Sequence, residues 1–99
     1  MALTHWAFLY TADGSAADGE VNVVDTGMCR TVFVGVAKPE QGIEVARRLV
    51  AEGVQLIEVC GGFGPVWAGR VIEAIDGAVP VGVVGYGPEA VDQVHAIFA

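Results

Sequence analysis

Glu58 and Cys60 are the two side chains of this sequence best placed for chemistry on a bound molecule. Glu58 interrupts an apolar segment, and a carboxylate on a buried strand is costly unless it is paired or functional. Burial would favour its protonated form, which suits a general acid or base in lyase or isomerase chemistry. A salt bridge to Arg30 or Arg70, or exposure at a sheet edge, explains Glu58 equally well.

Cys60 follows at the predicted end of the same strand, beside a helix N-terminus, where a thiolate would be stabilised. The sequence places no histidine to act with it, and a buried, unreactive cysteine is the commoner case. Alternation along a strand puts Glu58 and Cys60 on one face of the sheet. We therefore take the pair as the candidate catalytic residues, with purely structural roles as the alternative.

Three loops have the composition of a ligand-binding rim. Glycines let backbone N–H groups approach a ligand closely, helix N-termini favour anions, and a lysine or a tyrosine could bind a polar group. The candidate ligand-binding residues are Lys38, Gly61, Gly62, Phe63, Gly64 and Tyr86. The alternative is that the glycines only form tight turns and that the aromatic rings pack in the core. Neither a dinucleotide-binding fingerprint nor a P-loop is present, so we expect no cofactor.

Three segments have the pattern of helices, and each begins near a proline, which suits the first helical turn. They are residues 39–52, residues 65–76 and a third helix that starts at Pro88, with Gly53 and Gly77 as C-terminal caps of the first two. The side chains expected to face inward are Ile43, Ala46, Leu49 and Val50, then Ala68, Val71, Ile72 and Ile75, and finally Val91, Val94 and Phe98.

A strand-like run precedes each helix. These runs are residues 31–37, 54–60 and 79–84, with a further strand at residues 5–11 and a short edge strand at residues 21–24. Alternation of strand and helix predicts one α/β domain over residues 1–99, with a mostly parallel sheet of four or five strands and three helices. Its arrangement would resemble half of a (β/α) barrel or a flavodoxin-like sheet.

This architecture decides where the candidate residues meet. In parallel α/β sheets, ligands bind beyond the carboxyl ends of the strands, so the three loops should gather along one rim. Three helices cannot cover both faces of such a sheet evenly, and a bare apolar face would be closed by another subunit. We therefore expect a homo-oligomer, a dimer or a trimer, that binds a small, partly apolar or anionic molecule. A non-catalytic assembly or binding module is the alternative.

Composition narrows the classes of partner. The chain carries 12 acidic and 5 basic residues, for a formal net charge of −7, so binding to nucleic acid is not expected. No apolar run is long enough to cross a bilayer, and no secretory leader is evident, which together favour the cytoplasm. Cys29 and Cys60 are then expected to be reduced thiols, and no metal-binding motif is present.

Two resemblances to known families bear on this interpretation. The layout of the whole chain and the loop Cys60-Gly61-Gly62-Phe63-Gly64-Pro65 resemble a family of short bacterial proteins catalogued as a domain of unknown function. That resemblance implies one α/β domain and supplies no activity.

The segment Val23-Val24-Asp25-Thr26-Gly27 is similar to the catalytic turn of retroviral-type aspartic proteases. The similarity would make Asp25 a catalytic carboxylate, one per subunit of a dimer. That family is almost entirely β, whereas residues 44–52 and 70–75 are strongly helical here. We interpret Asp25-Thr26-Gly27 more simply as a turn.

Overall fold

The computed structural model describes residues 2–99. The strands are β1 (His5–Thr11), β2 (Glu20–Asp25), β3 (Arg30–Val36), β4 (Ile57–Val59) and β5 (Val81–Val83). The α-helices are α1 (Gly42–Ala51), α2 (Gly64–Ala74) and α3 (Val91–Phe98), and single turns of 3₁₀-helix at Pro39–Gln41 and Pro88–Ala90 lead into α1 and α3. None of the helices described in residues 2–99 combines the length and hydrophobicity needed to cross a membrane.

The five strands form one sheet in the order β2-β3-β1-β4-β5. β1 is parallel to β3 and β4, and β4 is parallel to β5, while β2 is antiparallel to β3. The prediction of an α/β fold with a mostly parallel sheet is confirmed. Because β1 lies between β3 and β4, the parallel strands follow a flavodoxin-like order, and the half-barrel alternative, in which neighbours follow chain order, is not observed.

Two strands are shorter than their apolar runs. β4 covers only Ile57–Val59, although Gln55 before it also bonds to the N-terminal segment. The Gln55 N–H donates to His5 O at 2.8 Å, and its Oε1 accepts hydrogen bonds from the N–H groups of Thr4 at 2.7 Å and His5 at 3.0 Å. β5 begins after Pro80, which has no N–H to donate to a ladder. The Pro80 carbonyl accepts a hydrogen bond from Ile57 at 3.0 Å, so the proline adjoins the sheet without interrupting it.

Helices α1 and α2 cover one face of the sheet and form the core with it. The alternate residues Ala7, Leu9, Val32, Val34, Ile57 and Val59 point toward the helices and are buried. On the helical side the core contains Val45, Ala46, Leu49, Ala68, Val71 and Ile75. Hydrophobic burial on this face, at about 25 cal/mol per Å² of apolar surface, is the main source of stability.

The predicted inward positions of α1 are confirmed: Ala46 and Leu49 are buried, and Ile43 and Val50 pack half-buried against the core, with Val45 as a further buried residue. Predicted positions in the other two helices are partly wrong. In α2, Ile72 is exposed, because the helix turns its Ala68–Val71 side toward the sheet. The prediction for α3 is also wrong: Val91 and Phe98 are exposed, since the apolar stripe faces a gap at the strand ends instead of a packed surface.

The opposite face of the sheet is uncovered by helices and rich in aromatic side chains. Alternation puts Trp6, Phe8, Tyr10 and Phe33 on this face, and none of them belongs to the described core. The rings of Phe8 and Tyr10 stack with centroids 6.4 Å apart. A Cβ at Gly35 would lie 2.7 Å from the Tyr10 ring, so the glycine lets that ring lie flat over β3. We call these four aromatic residues, with Glu58, the uncovered face.

Candidate functional site

The carboxyl ends of the parallel strands meet along one rim, as predicted, and two cavities open there. The first, about 550 Å³, is lined by Thr11, Cys60, Gly61, Gly62, Tyr86, Val94 and Phe98. The second, about 590 Å³, is lined by Gly61, Gly64, Pro65, Val83, Val84, Gly85, Tyr86, Val91, Val94 and His95. The two share Gly61, Tyr86 and Val94, and together they form one region between the strand ends and α3, the rim site.

Cys60 lies in the first cavity, where β4 gives way to the loop. Its Sγ accepts a hydrogen bond from the Thr11 N–H at 3.3 Å and lies 3.7 Å from the Thr11 hydroxyl. The backbone N–H of Cys60 donates to Leu9 O at 2.9 Å, which fixes the residue against β1. The thiol is therefore free, half-buried and oriented by the neighbouring strand.

The glycine loop leaves room for this arrangement. A Cβ at Gly62 would lie only 2.3 Å from Thr11 Oγ1 and 3.3 Å from Cys60 Sγ, so a larger residue would displace one of them. Gly64 has a φ of +66°, which few other residues adopt, and it begins α2 directly after the loop. The loop thus brings the N-terminal end of α2, with its positive partial charge, to the edge of the cavity.

Tyr86 and α3 form the outer wall. Tyr86 is 67% exposed and its ring reaches the loop, since a Cβ at Gly61 would lie 3.3 Å from the ring. Val94 and Phe98 face the first cavity, and Val91, Val94 and His95 face the second. The predicted apolar stripe of the third helix therefore lines the rim site.

Thr11, Val94 and His95 are site residues that the sequence interpretation did not select. Thr11 ends a predicted strand, and its position at the carboxyl end was a usable signal. His95 follows Val91 by one helical turn, so the helical periodicity places it beside the apolar stripe, where an edge position was expected. Its proximity to the cysteine loop depends on where α3 lies, which periodicity does not specify.

Five of the eight predicted site residues line the rim site, and three do not. Cys60, Gly61, Gly62, Gly64 and Tyr86 line one or both cavities. Phe63 is 2% exposed and packs in the core, where a Cβ at Gly42 would lie only 2.6 Å from its ring. Lys38 is exposed at the end of β3, on the far side of β1 from β4 and β5, and lines neither cavity.

Glu58 lies on the uncovered face, where it pairs in register with Phe8 of β1. Its side chain is exposed and lines neither cavity, so the expectation of burial is wrong for a single copy of the chain. The two predicted salt-bridge partners are engaged elsewhere: Arg30 lies 3.8 Å from Asp25, and the Arg70 guanidinium lies 4.4 Å from the Trp67 ring centroid. Glu58 is therefore exposed, but on the face of β4 and not at a sheet edge, because β4 lies between β1 and β5.

Asp25 is the last residue of β2, and the turn to β3 follows at Thr26 and Gly27, so the simpler interpretation holds for those two residues. Asp25 Oδ1 accepts a hydrogen bond from the Gly27 N–H at 2.8 Å, and Thr26 Oγ1 accepts from the N–H groups of Met28 and Cys29. These bonds are those of a side-chain-supported hairpin turn. Within residues 2–99, no three side chains of the metal-ligating types come together.

Comparison with known families now adds a classification. A family model described as "Family of unknown function (DUF6506)" matches residues 4–99. The chain belongs to this family. No curated protein and no solved structure matches the chain. Membership in DUF6506 confirms the resemblance to a domain of unknown function and brings no activity with it, so the function must be argued from the rim site.

Proposed function

We propose that this DUF6506 chain is a cytoplasmic, homo-oligomeric domain that binds a small, partly apolar molecule with an anionic or polar group at the rim site. The observation that carries the proposal is the pair of cavities at the carboxyl ends of the parallel strands, joined at Gly61, Tyr86 and Val94. Ligands of α/β sheets bind at this edge, because loops and helix N-termini converge there.

The walls of the rim site favour an apolar ligand body. Val83, Val84 and Pro65 line the second cavity together with Val91 of α3, and Phe98 of the same helix lines the first. Several of these side chains are exposed, so a bound apolar group would remove apolar surface from water. A flat or branched apolar group inserted between β5 and α3 would gain this stabilisation.

The inner end of the rim site favours a polar or anionic group. The loop of Gly61 and Gly62 leads into the N-terminus of α2, where the helix dipole attracts negative charge. The Cys60 thiol and the Tyr86 side chain line the same cavity and add groups that can hydrogen-bond. A ligand would therefore lie with its polar end at the glycine loop and its apolar end against α3.

Binding without turnover is the function that the geometry supports best. Acid–base chemistry would require Glu58 to reach the bound molecule, and this side chain lies on the uncovered face instead of lining a cavity. Catalysis by Cys60 would require a group to accept its proton, and His95 lines the neighbouring cavity, not the one that contains the thiol. The geometry therefore supports lyase or isomerase activity less well than it supports binding alone.

A fluorescence titration with anilinonaphthalene sulfonate tests the proposal, because this dye has an apolar ring system and one anionic group. We expect Val94→Trp, which fills the space shared by the cavities, to weaken dye binding by about tenfold, equivalent to about 1.4 kcal/mol. Ile97→Trp is the matched control, since Ile97 lies on the same helix but outside both cavities. Equal dye affinities of the two variants would contradict binding at the rim site.

A second candidate function, a non-catalytic assembly module, is favoured by the uncovered face. Parallel sheets are normally covered on both sides, and here α1 and α2 cover only one. We propose that a dimer or a trimer forms when another copy of the chain packs on the aromatic residues of the uncovered face. Sedimentation at micromolar concentrations measures this association, and a monomer throughout that range would contradict it.

A further inference from the structure

Strand β2 forms an edge of the sheet that is unusually open to another strand. It lies outermost in the order β2-β3-β1-β4-β5, and all six of its residues are exposed. Val21, Val23 and Val24 are 53%, 41% and 54% exposed. Natural edge strands are commonly protected by charged side chains, above all lysine, by proline or by extreme shortness. β2 has six residues and neither lysine nor proline, and its two charges, Glu20 and Asp25, lie only at its ends. The opposite edge, β5, is only three residues long.

The hydrogen bonds of the hairpin show which backbone groups of β2 face outward. The Thr26 N–H donates to Cys29 O at 3.1 Å, so these two residues form a hydrogen-bonded pair. Pairs of this type recur at every second residue of an antiparallel ladder, which makes Val24 and Thr31 the next such pair. It follows that Glu20, Asn22 and Val24 bond to β3, while the N–H and C=O groups of Val21, Val23 and Asp25 point away from the sheet.

We propose that two copies of the chain associate through this edge, with their β2 strands antiparallel and Val23 opposite Val23 of the second copy. This register pairs every outward-facing residue, because Val21 then lies opposite Asp25 of the second copy. Each of these pairs exchanges both of its N–H···O=C hydrogen bonds. The result is one continuous sheet across a two-fold axis.

Charge and side-chain size favour a second copy as the occupant of the edge. A shift by one residue in one direction would place Glu20 opposite Asp25 at both ends, where like charges are destabilising. A shift by one residue in either direction would also leave outward groups unpaired. In the proposed register each acid lies opposite an uncharged residue, and valine meets valine at the centre. Two antiparallel copies of β2 are therefore complementary to each other in their backbone hydrogen bonds and in the placement of their charges.

This interface goes beyond the proposed function, because it involves neither the rim site nor the uncovered face. Val23→Lys and Val23→Glu test it by sedimentation. Each variant alone would place like charges across the two-fold axis and should weaken association by about tenfold or more. An equimolar mixture of the two should recover the association of the unmodified chain. Val66→Lys, which makes the same change at an exposed valine on α2, is the matched control and should leave association unchanged.

Amide hydrogen exchange distinguishes this interface from packing on the uncovered face. As the concentration of the chain is raised, exchange should slow at Val21, Val23 and Asp25, whereas Asn22 and Val24 should keep the protection that they already have in one copy. A chain that stays monomeric overturns the proposal. Association without this alternating pattern of exchange also overturns the proposal, and so does association that Val23→Lys and Val66→Lys weaken equally. Either result counts against the β2 interface even where the uncovered face proves to be an interface.

Discussion

Thr11, Cys60 and Gly62 form the tightest cluster of the rim site. The Thr11 N–H donates to Cys60 Sγ at 3.3 Å, and the absence of a side chain at Gly62 leaves space for the threonine hydroxyl. Thr11 ends β1, and Cys60 and Gly62 lie in the loop that follows β4, so the position of the thiol depends on the packing of β1 against β4. A small change at Gly62 should therefore affect both the stability of the chain and the shape of the cavity.

Gly62→Ala should destabilise the domain, because the added methyl group would overlap Thr11 Oγ1. We expect the free energy of unfolding, measured by urea denaturation, to fall by about 1–3 kcal/mol, the usual cost of overpacking. Gly69→Ala is the control: a Cβ at Gly69 meets no atom within 4 Å, and the position is helical. This variant should gain about 0.5–1 kcal/mol, since alanine favours a helix over glycine. Equal effects of the two would refute the close packing at Gly62.

At the scale of single residues, the position of the glycine loop could be predicted from the sequence, whereas the burial of individual side chains was harder to predict. The pattern of a strand followed by Gly61, Gly62 and Gly64 marks a loop at a carboxyl end, and that is where it lies. Phe63 was misassigned because a loop position gives no indication of burial, and its ring turns inward only because Gly42 leaves space on α1. Glu58 was expected to be buried because its neighbours are apolar, although alternation allows every second residue to face water.

The helices differ in how firmly they are held. α1 and α2 contribute most of the helical side of the core, whereas every residue of α3 is at least partly exposed. Helices of this length derive most of their stability from packing and little from propensity. We therefore expect the part of the molecule built on α1 and α2 to be the more stable, and α3, next to the rim site, to contribute less to stability.

Leu49→Ala should measure the contribution of α1 to the core. The side chain is fully buried against the sheet, so its truncation leaves a cavity and should cost about 2–5 kcal/mol in thermal or chemical unfolding. Ile97→Ala removes a similar side chain from α3, where it is 73% exposed, and should change stability by no more than about 0.5 kcal/mol. A comparable loss in both variants would show that α3 is packed as firmly as α1.

The elements themselves were largely visible in the sequence, because proline and glycine mark their ends. Pro39 and Pro88 each open a turn of 3₁₀-helix before the α-helix, and Pro65 lies in the first turn of α2. The faces of the helices were less predictable. In a short helix with many apolar residues, a rotation of one position changes which of them meet the sheet, and the sequence contains no signal for that rotation.

For the molecule as a whole, the asymmetric covering of the sheet has the largest consequences. One face is packed by two helices, and the other carries the half-buried side chains of Trp6, Phe8, Tyr10 and Phe33. An apolar surface that is left partly open to water on a small domain commonly marks an interface. The abundance of apolar residues in the sequence, 54% of the chain, is consistent with a surface of this kind.

Phe33→Lys should therefore prevent association through the uncovered face. A lysine at this central position would have to be desolvated on packing, and we expect the dissociation constant measured by sedimentation to rise by about tenfold or more. Ile72→Lys, on the outer side of α2, carries the same charge change at an exposed apolar residue and should have no effect. If both variants associate like the unmodified chain, the uncovered face is not an interface.

By itself, the sequence determined the class of fold, the identity of most elements and the edge of the sheet at which a site would form. These follow from local patterns: apolar periodicity, proline and glycine at element ends, and the rule that parallel strands end at a common rim. Only the tertiary structure decided the strand order, the exposure of Glu58 and the burial of Phe63. It also decided that Thr11, Cys60 and His95 lie near one rim. Such facts depend on contacts between residues far apart in the chain, and no local pattern encodes which of the available apolar surfaces will meet.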